Sequence, residues 1–305
     1  MKITLIENFR AVFYAPFYIP MVLGAYEAEG LQVELTTSPD AAQTASSLVA
    51  GAGDVSWGGP LRLMMALEKN PRAALAFCEV VGHDPFFLIG REPHPAFRPE
   101  HLKGKKLARV TEVPTPWMCL RQDLRLAGVD PNTIATIPGR SMAENVAALR
   151  SGEADVIQVF QPYAAQVLHE GAGHVWYAQA GRGPVAYTSL NTTRQFAERN
   201  PDVLRGMCRA MYRAQKWIAT RAAGDMAAAL AEFFPDLPRE ILTDCFATYK
   251  EIGLWNRDPI LQRRGLEWLR DAALADGILR TKFAYEDCVD TSHAQAVIRE
   301  NPPAL

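Results

Sequence analysis

The chain has 305 residues, which is long enough for two domains or one large domain. Hydrophobic residues make up 49% and charged residues 22%, as in an ordinary folded protein, and the formal net charge is -2. The sequence contains no block of like charges and no apolar run approaching the roughly 20 residues of a membrane helix. Binding to nucleic acid, adhesion to an acidic membrane and a membrane span are therefore not expected.

The first strand, KITLIE, follows Met1 directly, without the basic and apolar segments of a leader. We therefore expect the protein in the periplasm or at the cell surface if a leader has been removed, and in the cytoplasm otherwise.

The first quarter of the chain alternates between strand and helix periodicity. A helix is predicted from Pro16 to Gly30, because proline favours the first helical turn and glycine the end of a helix. The next predicted elements are strand LQVEL, helix AAQTASSLVAG, strand DVSW, helix PLRLMMALEKN and strand ALAFCEVV. This βαβαβαβ order predicts a parallel sheet covered by helices.

The alternation restarts after the segment GHDP and continues to about residue 187. It includes helix SMAENVAALRSG, where Ser141 and Glu144 form a capping box, and a strand TIATIPG before it. The strand in GPVAYTSLNTT is expected to return to the first sheet, and the chain from residue 194 is predicted to be almost entirely helical.

The order of the predicted elements indicates an α/β protein of two lobes, with the second lobe inserted into the first. Lobe 1 is expected to comprise residues 1–84 and 188–305, and lobe 2 residues 85–187, with the C-terminal helices packing on lobe 1. A cleft between two lobes joined by two crossings is a natural ligand site and a natural hinge.

Five segments of the chain resemble, in order, segments of the solute receptors of ABC transporters: FYIPMVLGAYEAEGLQVEL, GAGDVSWGGP, HLKGKKLARV, NVAALRSGEADVIQVFQPYAAQV and RQFAERNPDVLRGMCRAM. The resemblance is to the type II periplasmic-binding fold, in the branch that binds sulfonates, nitrate and thiamine pyrimidine precursors. It implies two lobes that close on a small molecule and deliver it to an ABC permease. We expect a monomer without a cofactor.

The same branch includes an enzyme, the eukaryotic thiamine-pyrimidine synthase, whose signature is a run of cysteines with a lysine and a histidine. The corresponding segments here, GPVAYTSLNTT and DVSWGGPLR, contain no Cys, Lys or His, so we predict a protein that is not an enzyme. Two alternatives stay open: a cytoplasmic binding protein on the same fold, and an enzyme using an acid–base pair such as Glu112 with His83.

Cysteines and histidines give no sign of a metal site. The five cysteines lie more than thirty residues apart, so we predict buried thiols, and no two of the six histidines fall at i, i+4 on a helix.

The loops that follow the strands are rich in aromatic residues. Ligands of open α/β sheets bind beyond the carboxyl ends of the strands, so these loops are the expected site. Their aromatic residues are Phe9, Tyr14, Trp57, Phe86, Trp117 and Phe160. We predict a cage for a flat ring that closes between Tyr14, Trp57 and Trp117, whereas Phe17 and Tyr18 are expected to be helix core.

Small and polar residues complete the predicted ligand site. Gly58 and Gly59 remove side chains, so that a ligand can approach the backbone, and Thr115 and Gln161 lie in the same set of loops. Glu112 and Asp84 are expected to accept hydrogen bonds from an amino group on a heterocycle.

An anionic ligand is the alternative. Pro114 and Pro116 each remove an N–H donor from the helix N-terminus where an anion would bind, but Arg10 and Arg140 are candidate anchors. The balance favours an aminopyrimidine, with a thiamine pyrimidine precursor as the best single candidate. A sulfonate, nitrate or another small organic anion is the alternative ligand.

Overall fold

The structure is a computed structural model that describes residues 1–137 and 139–305. The described residues form two mixed sheets of five strands each. The strands are β1 (Lys2–Glu7), β2 (Gln32–Thr37), β3 (Val55–Gly58), β4 (Ala74–Val81), β5 (Phe87–Gly90), β6 (Lys106–Ala108), β7 (Ala135–Ile137), β8 (Val156–Val159), β9 (His174–Ala178) and β10 (Thr188–Thr193).

Helices cover both sheets and make up most of the chain after β10. They are α1 (Ala15–Val22), α2 (Ala25–Ala28), α3 (Thr44–Val49), α4 (Pro60–Lys69), α5 (Thr115–Leu126), α6 (Met142–Ser151), α7 (Tyr163–His169), α8 (Arg194–Arg199), α9 (Pro201–Thr220), α10 (Ala223–Ala229), α11 (Arg239–Glu251), α12 (Arg263–Ala275), α13 (Tyr285–Cys288) and α14 (Ser292–Glu300).

The helix predicted from Pro16 to Gly30 is two helices, α1 and α2. Gly24 separates them, because its φ of 66° lies in the left-handed region, which an L-residue in a helix does not adopt. The strand predicted as TIATIPG ends in the structure at Ile137. The loop expected at residues 138–141 begins at Pro138, which lies outside the described residues.

The first sheet has the strand order β2-β1-β3-β10-β4, and the second has the order β7-β6-β8-β5-β9. Strands β1, β2 and β3 are parallel, whereas β10 lies antiparallel between β3 and β4. The return of β10 therefore makes this sheet mixed rather than purely parallel. The chain passes to the second sheet after β4 and comes back before β10. The predicted α/β class and two-lobe fold are confirmed; the exact lobe boundaries at residues 84 and 187 stay a prediction.

The C-terminal segment covers the outer edge of β4. The backbone N–H of Glu79 donates to Pro259 O (2.9 Å), and the N–H of Asn256 donates to Val80 O (3.1 Å). An uncovered edge strand would expose unpaired backbone groups, so this segment completes the sheet. The C-terminal helices also reach the second lobe, where α11 contacts α7 and α12 contacts α5.

A buried ion cluster lies where the chain crosses between the sheets. The guanidinium of Arg182, before β10, pairs with Asp84, after β4, and with Asp123 in α5 (2.5 Å). All three side chains are nearly inaccessible to solvent, and Gln179 Nε2 also donates to Asp84 (3.0 Å). The two crossings are therefore tied together, and to α5, by charge-assisted hydrogen bonds.

The remaining global predictions can be compared with the described residues. All five cysteines are free and buried, as predicted. No helix in the described ranges has both the length and the apolarity that a membrane crossing requires. Among the same residues, no group of three or more metal-ligating side chains is present.

Candidate functional site

A chamber of about 490 Å³ lies between the two lobes. Lobe 1 contributes the loops after β1 and β2 and the segment between α10 and α11, and lobe 2 contributes the loops after β6 and β8 and the first residue of α6. The residues lining this outer chamber are Phe9, Arg10, Ala11, Val12, Ala41, Glu112, Val113, Met142, Phe160, Gln161, Pro162, Tyr163, Phe233, Phe234, Pro235, Asp236 and Leu237. Most are apolar, and apart from the segment between α10 and α11 they follow the carboxyl ends of strands, where ligands of such sheets bind.

Aromatic rings from both lobes form much of the chamber wall. Phe160 lies edge-on to Tyr163, with ring centroids 6.1 Å apart, and edge-on to Phe13 at 5.3 Å. From lobe 1, Phe9 packs against Tyr14 with centroids 5.2 Å apart. The walls can therefore present faces and edges to a flat ring, as offset or edge-to-face contacts require.

Arg10 lines the chamber, but its charge is compensated within lobe 1. Its guanidinium donates to both carboxylate oxygens of the buried Glu7, at 2.9 to 3.2 Å, and to Phe233 O at 3.2 Å. The carboxylate also accepts from the Tyr18 hydroxyl at 2.6 Å. Arg10 is therefore a structural residue that supports the chamber wall, and its availability to an anionic ligand is low.

Two carboxylates line the chamber without such compensation. Glu112 Oε2 accepts the N–H of Met142 at 3.1 Å, and Asp236 is the second acidic residue of the lining. Burial raises the pKa of Glu112 above its usual range, and the hydrogen bond from Met142 only partly opposes this shift. The chamber therefore favours a neutral or cationic solute that donates hydrogen bonds.

A second, smaller cavity of about 40 Å³ lies beside the chamber, and residues of both lobes line it. Its lining residues are Asn8, Phe9, Tyr14, Gly59, Leu61, Arg62, Phe86, Val113, Pro114, Thr115 and Tyr187. Phe9 and Val113 line both this inner pocket and the outer chamber, so the two cavities share a wall.

The sequence analysis missed Arg62. This residue lies in the first turn of α4, and no ion pair among the described residues includes it. Burial lowers its pKa, and the charges of Asp40 and Tyr14 only partly oppose that shift. An arginine in an amphipathic helix ordinarily faces solvent. Arg62 could have been identified from the sequence by its position in the helical turn that begins directly at the end of the loop SWGGP.

The structure brings most of the predicted site residues to these two cavities. Those lining the outer chamber are Phe9, Arg10, Glu112, Phe160 and Gln161. Those lining the inner pocket are Phe9, Tyr14, Gly59, Phe86 and Thr115. Gly58 lies beside them, in a small void of about 10 Å³ within lobe 1 that Gly59 and Arg62 also line. That these residues bind a ligand stays a prediction.

The predicted cage of Tyr14, Trp57 and Trp117 is not formed in the structure. Trp57 is fully buried and stacks on Phe17, with centroids 4.7 Å apart and planes at 14°. Trp117 packs against a cluster of buried apolar residues in lobe 2. The guanidinium of Arg109 lies 5.5 Å from its ring centre. Neither tryptophan lines the chamber or the inner pocket. Each of these large apolar rings packs against the core of its own lobe.

Phe17 and Tyr18 are both fully buried, as the helix-core interpretation predicts. Asp84 and Arg140 do not face the cleft. Asp84 is held by Arg182 in the crossing cluster, and Arg140 pairs on the surface with Glu153 at 2.5 Å.

The hypothetical acid–base pair is not assembled either. Glu112 lines the outer chamber, whereas His83 lies against Leu254, and its Nδ1 has no hydrogen-bond partner among the described residues. Burial lowers the pKa of His83.

Gln161 joins the lobes rather than only lining the chamber. Its backbone N–H donates to the hydroxyl of Tyr249 (3.0 Å), and that hydroxyl donates to Pro85 O (3.2 Å). Tyr249 belongs to α11, so the C-terminal helices help to position the loop after β8.

Two α/β lobes with one chamber between them define the class of two-lobe solute-binding proteins. The chain belongs to the NMT1-like family, whose profile matches residues 9–232. The predicted resemblance to ABC-transporter solute receptors of the type II periplasmic-binding fold is confirmed.

Relatives and solved structures agree with this class. YtlA, a candidate binding protein of Bacillus subtilis (strain 168), is 26% identical over 303 residues, covering 98% of this chain and 90% of that protein. The periplasmic aliphatic sulphonate binding protein SsuA of Escherichia coli is 16% identical, with a TM-score of 0.75 over 92% of this chain and 94% of SsuA. The desulfurization enzyme DszB has the same fold at 12% identity, with a TM-score of 0.71 over 99% of both chains. The fold thus occurs in binding proteins and also in an enzyme.

Proposed function

We propose that this protein is the solute receptor of an ABC-type importer and captures a small organic solute with a flat ring between its lobes. The observation that carries the proposal is the outer chamber, whose aromatic walls come from both lobes. Its volume of about 490 Å³ suits a small molecule, and ligand pockets of this kind are mostly apolar with few polar groups. Binding would draw the lobes together, as in other hinged receptors.

An aminopyrimidine, as in a thiamine pyrimidine precursor, is the best candidate for the ring. Glu112 and Asp236 give the chamber acceptors that form no ion pair among the described residues. An amino group on the ring would donate to such a carboxylate, and the ring faces would contact Phe160 and Phe9.

A second candidate is a receptor for a small organic anion. The observation that favours it is Arg62, which lines the inner pocket and has no ion-pair partner among the described residues. Pro114 and Pro116 still remove two donors from the first turn of α5, but Arg62 supplies the positive charge that the sequence analysis assigned to Arg10 or Arg140. SsuA of Escherichia coli, which has this fold, is named as a binder of aliphatic sulphonates.

In this proposal the protein is a monomer that binds its solute without covalent chemistry. It then delivers the solute to an ABC permease. SsuA of Escherichia coli is a periplasmic protein, which supports a location in the periplasm or at the cell surface.

A thermal-shift panel tests the proposal. Aminopyrimidines, alkyl sulfonates, nitrate and aromatic carboxylates are each added to the full chain. A ligand at 100 times its Kd stabilises the folded state by about 2.7 kcal/mol, which raises the Tm by several degrees. We expect an aminopyrimidine to raise the Tm, and Glu112→Gln to reduce that shift.

The matched control is Glu153→Gln, which removes a carboxylate of lobe 2 that pairs with Arg140 outside the chamber. This variant should keep the full shift. A shift with nitrate or an alkyl sulfonate and none with any ring compound would contradict the capture of a ring and support the second candidate.

A further inference from the structure

The polar side chains of the inner pocket are chiefly hydrogen-bond donors. Tyr187 is 7% exposed, and its hydroxyl oxygen is buried with no hydrogen-bond partner among the described residues. A buried hydroxyl without a partner is unfavourable, and such a group calls for a ligand or a water. Tyr187 lines the pocket, so a ligand held there is a candidate partner for this hydroxyl.

The hydroxyl of Tyr14 is a second candidate donor in this pocket. Asn8 Nδ2 donates to the hydroxyl oxygen of Tyr14 at 3.2 Å, and Asn8 Oδ1 accepts from Thr44 Oγ1 at 2.7 Å. The amide of Asn8 is therefore oriented by its neighbours. Burial raises the pKa of Tyr14 to about 12, so the hydroxyl keeps its proton at neutral pH. Because its oxygen already accepts from Asn8, its proton is available to a ligand.

The electrostatic environment of the pocket is positive. Arg62 is the charged residue of the lining, and none of the described lining residues is Asp or Glu. The first turns of two helices also meet here, with Leu61 of α4 and Thr115 of α5 in the lining. The positive ends of the two helix dipoles add to the charge of the guanidinium. The outer chamber, by contrast, carries the carboxylates of Glu112 and Asp236.

The inner pocket adjoins the outer chamber, because Phe9 and Val113 line both. The inner pocket, at about 40 Å³, has room for a small planar group. A carboxylate is planar and presents two oxygens side by side, which matches the fork of a guanidinium, whereas a tetrahedral sulfonate is bulkier.

We infer that the inner pocket binds the carboxylate of a solute whose aromatic ring occupies the outer chamber, so that the ligand class is a small aromatic or heteroaromatic carboxylic acid. Arg62 is the residue that determines this specificity, and Tyr14 and Tyr187 donate to the same group. The inference rests on the function proposed above, and it assigns an acid group to the proposed ring.

Matched acids and amides test the inference by isothermal titration calorimetry on the full chain. The probes are nicotinate with nicotinamide, benzoate with benzamide, benzenesulfonate, and ethanesulfonate as a ligand without a ring. In the unmodified protein each carboxylate should bind about 10- to 100-fold more tightly than its amide, the effect of a hydrogen bond to a charged group. Arg62→Met should reduce that preference to near unity.

Two variants separate charge recognition from misfolding. Arg140→Met removes an arginine that pairs with Glu153 outside both cavities, and it should leave the acid-to-amide ratio unchanged. Tyr187→Phe keeps the ring and should weaken carboxylate binding several-fold while leaving amide binding nearly unaltered.

The outcomes distinguish the inference from the proposed function. If the amides bind as tightly as the acids, if Arg62→Met keeps the ratio, or if benzenesulfonate binds more tightly than benzoate, the inference is wrong but capture of a ring stands. If ethanesulfonate binds and no ring compound does, both the inference and the ring-binding function are overturned. If no probe binds, the inference is overturned, and the aminopyrimidines of the thermal-shift panel decide whether the ring-binding function stands.

Discussion

Glu79 is a buried carboxyl that should make the stability of the protein depend on pH. It lies in β4 and is 1% exposed. Its Oε2 accepts from Asn256 Nδ2 (2.6 Å) and from the N–H of Gln262 (3.1 Å), whereas its Oε1 has no partner among the described residues. Burial raises the pKa of Glu79 to about 8, and the two hydrogen bonds oppose that rise only in part. Burial therefore favours the protonated carboxyl in the folded chain, although the hydrogen bonds from Asn256 and Gln262 favour the carboxylate.

The direction of the effect follows from linkage. The folded pKa lies above the ordinary value of 4.5, so the unfolded chain loses this proton first as the pH rises. The stabilisation is complete below pH 4.5 and declines as the pH approaches 8. Each pH unit in that interval removes about 1.4 kcal/mol, so this carboxyl accounts for a loss of roughly 5 kcal/mol across it.

Urea unfolding at one-unit steps from pH 5 to 9 measures this loss. Other groups titrate in the same range, so the quantity of interest is the difference in unfolding free energy between Glu79→Gln and the unmodified protein. Glutamine imitates the protonated carboxyl, and the difference should shift in favour of the variant by about 1.4 kcal/mol per pH unit up to pH 8. The control is Glu240→Gln, an exposed position in the first turn of α11. Parallel pH profiles for Glu79→Gln and the unmodified protein would refute the reasoning.

Two further predictions follow from the packing of the lobes. Arg182→Met leaves the buried carboxylates of Asp84 and Asp123 without their partner. It should lower the free energy of unfolding, measured with urea, by about 3–5 kcal/mol. A decrease below about 1 kcal/mol would contradict the stabilising role of the crossing cluster. Trp117→Ala should change the Kd of a chamber ligand by no more than about threefold, because the Trp117 ring packs in lobe 2 beside Arg109. A loss of affinity of about tenfold in calorimetry would show that Trp117 does contact the ligand.

Local rules predicted much of the fold. The capping box at the start of α6 is present in the structure: Glu144 Oε2 accepts the N–H of Ser141 at 2.7 Å, and Ser141 Oγ accepts the N–H of Glu144 at 3.3 Å. Such signals act over a few residues, so they can be read without the tertiary structure. The two-lobe arrangement was predictable for a related reason, since alternation of strand and helix restricts the possible topologies to a few.

The general place of the cleft was predictable, but the direction of single side chains was not. Phe9 and Phe160 follow strands, and they line the chamber, as the rule for strand ends predicts. Trp57 was expected in a loop, but it lies within β3 and in the core, where it stacks on Phe17. Which way a ring turns depends on the shape of the neighbouring elements, and this information is not present in a local pattern.

The sequence by itself therefore determined the order of the elements, the burial of the cysteines and the class of the fold, because these depend on periodicity and composition. Only the tertiary structure decided that Glu7 neutralises Arg10 and that Phe233, from the C-terminal part of the chain, lines the chamber. It also decided that Arg62 has no ion-pair partner among the described residues. Residues distant in the sequence form these contacts. A charge becomes a candidate ligand anchor only when the folded chain leaves it without a partner.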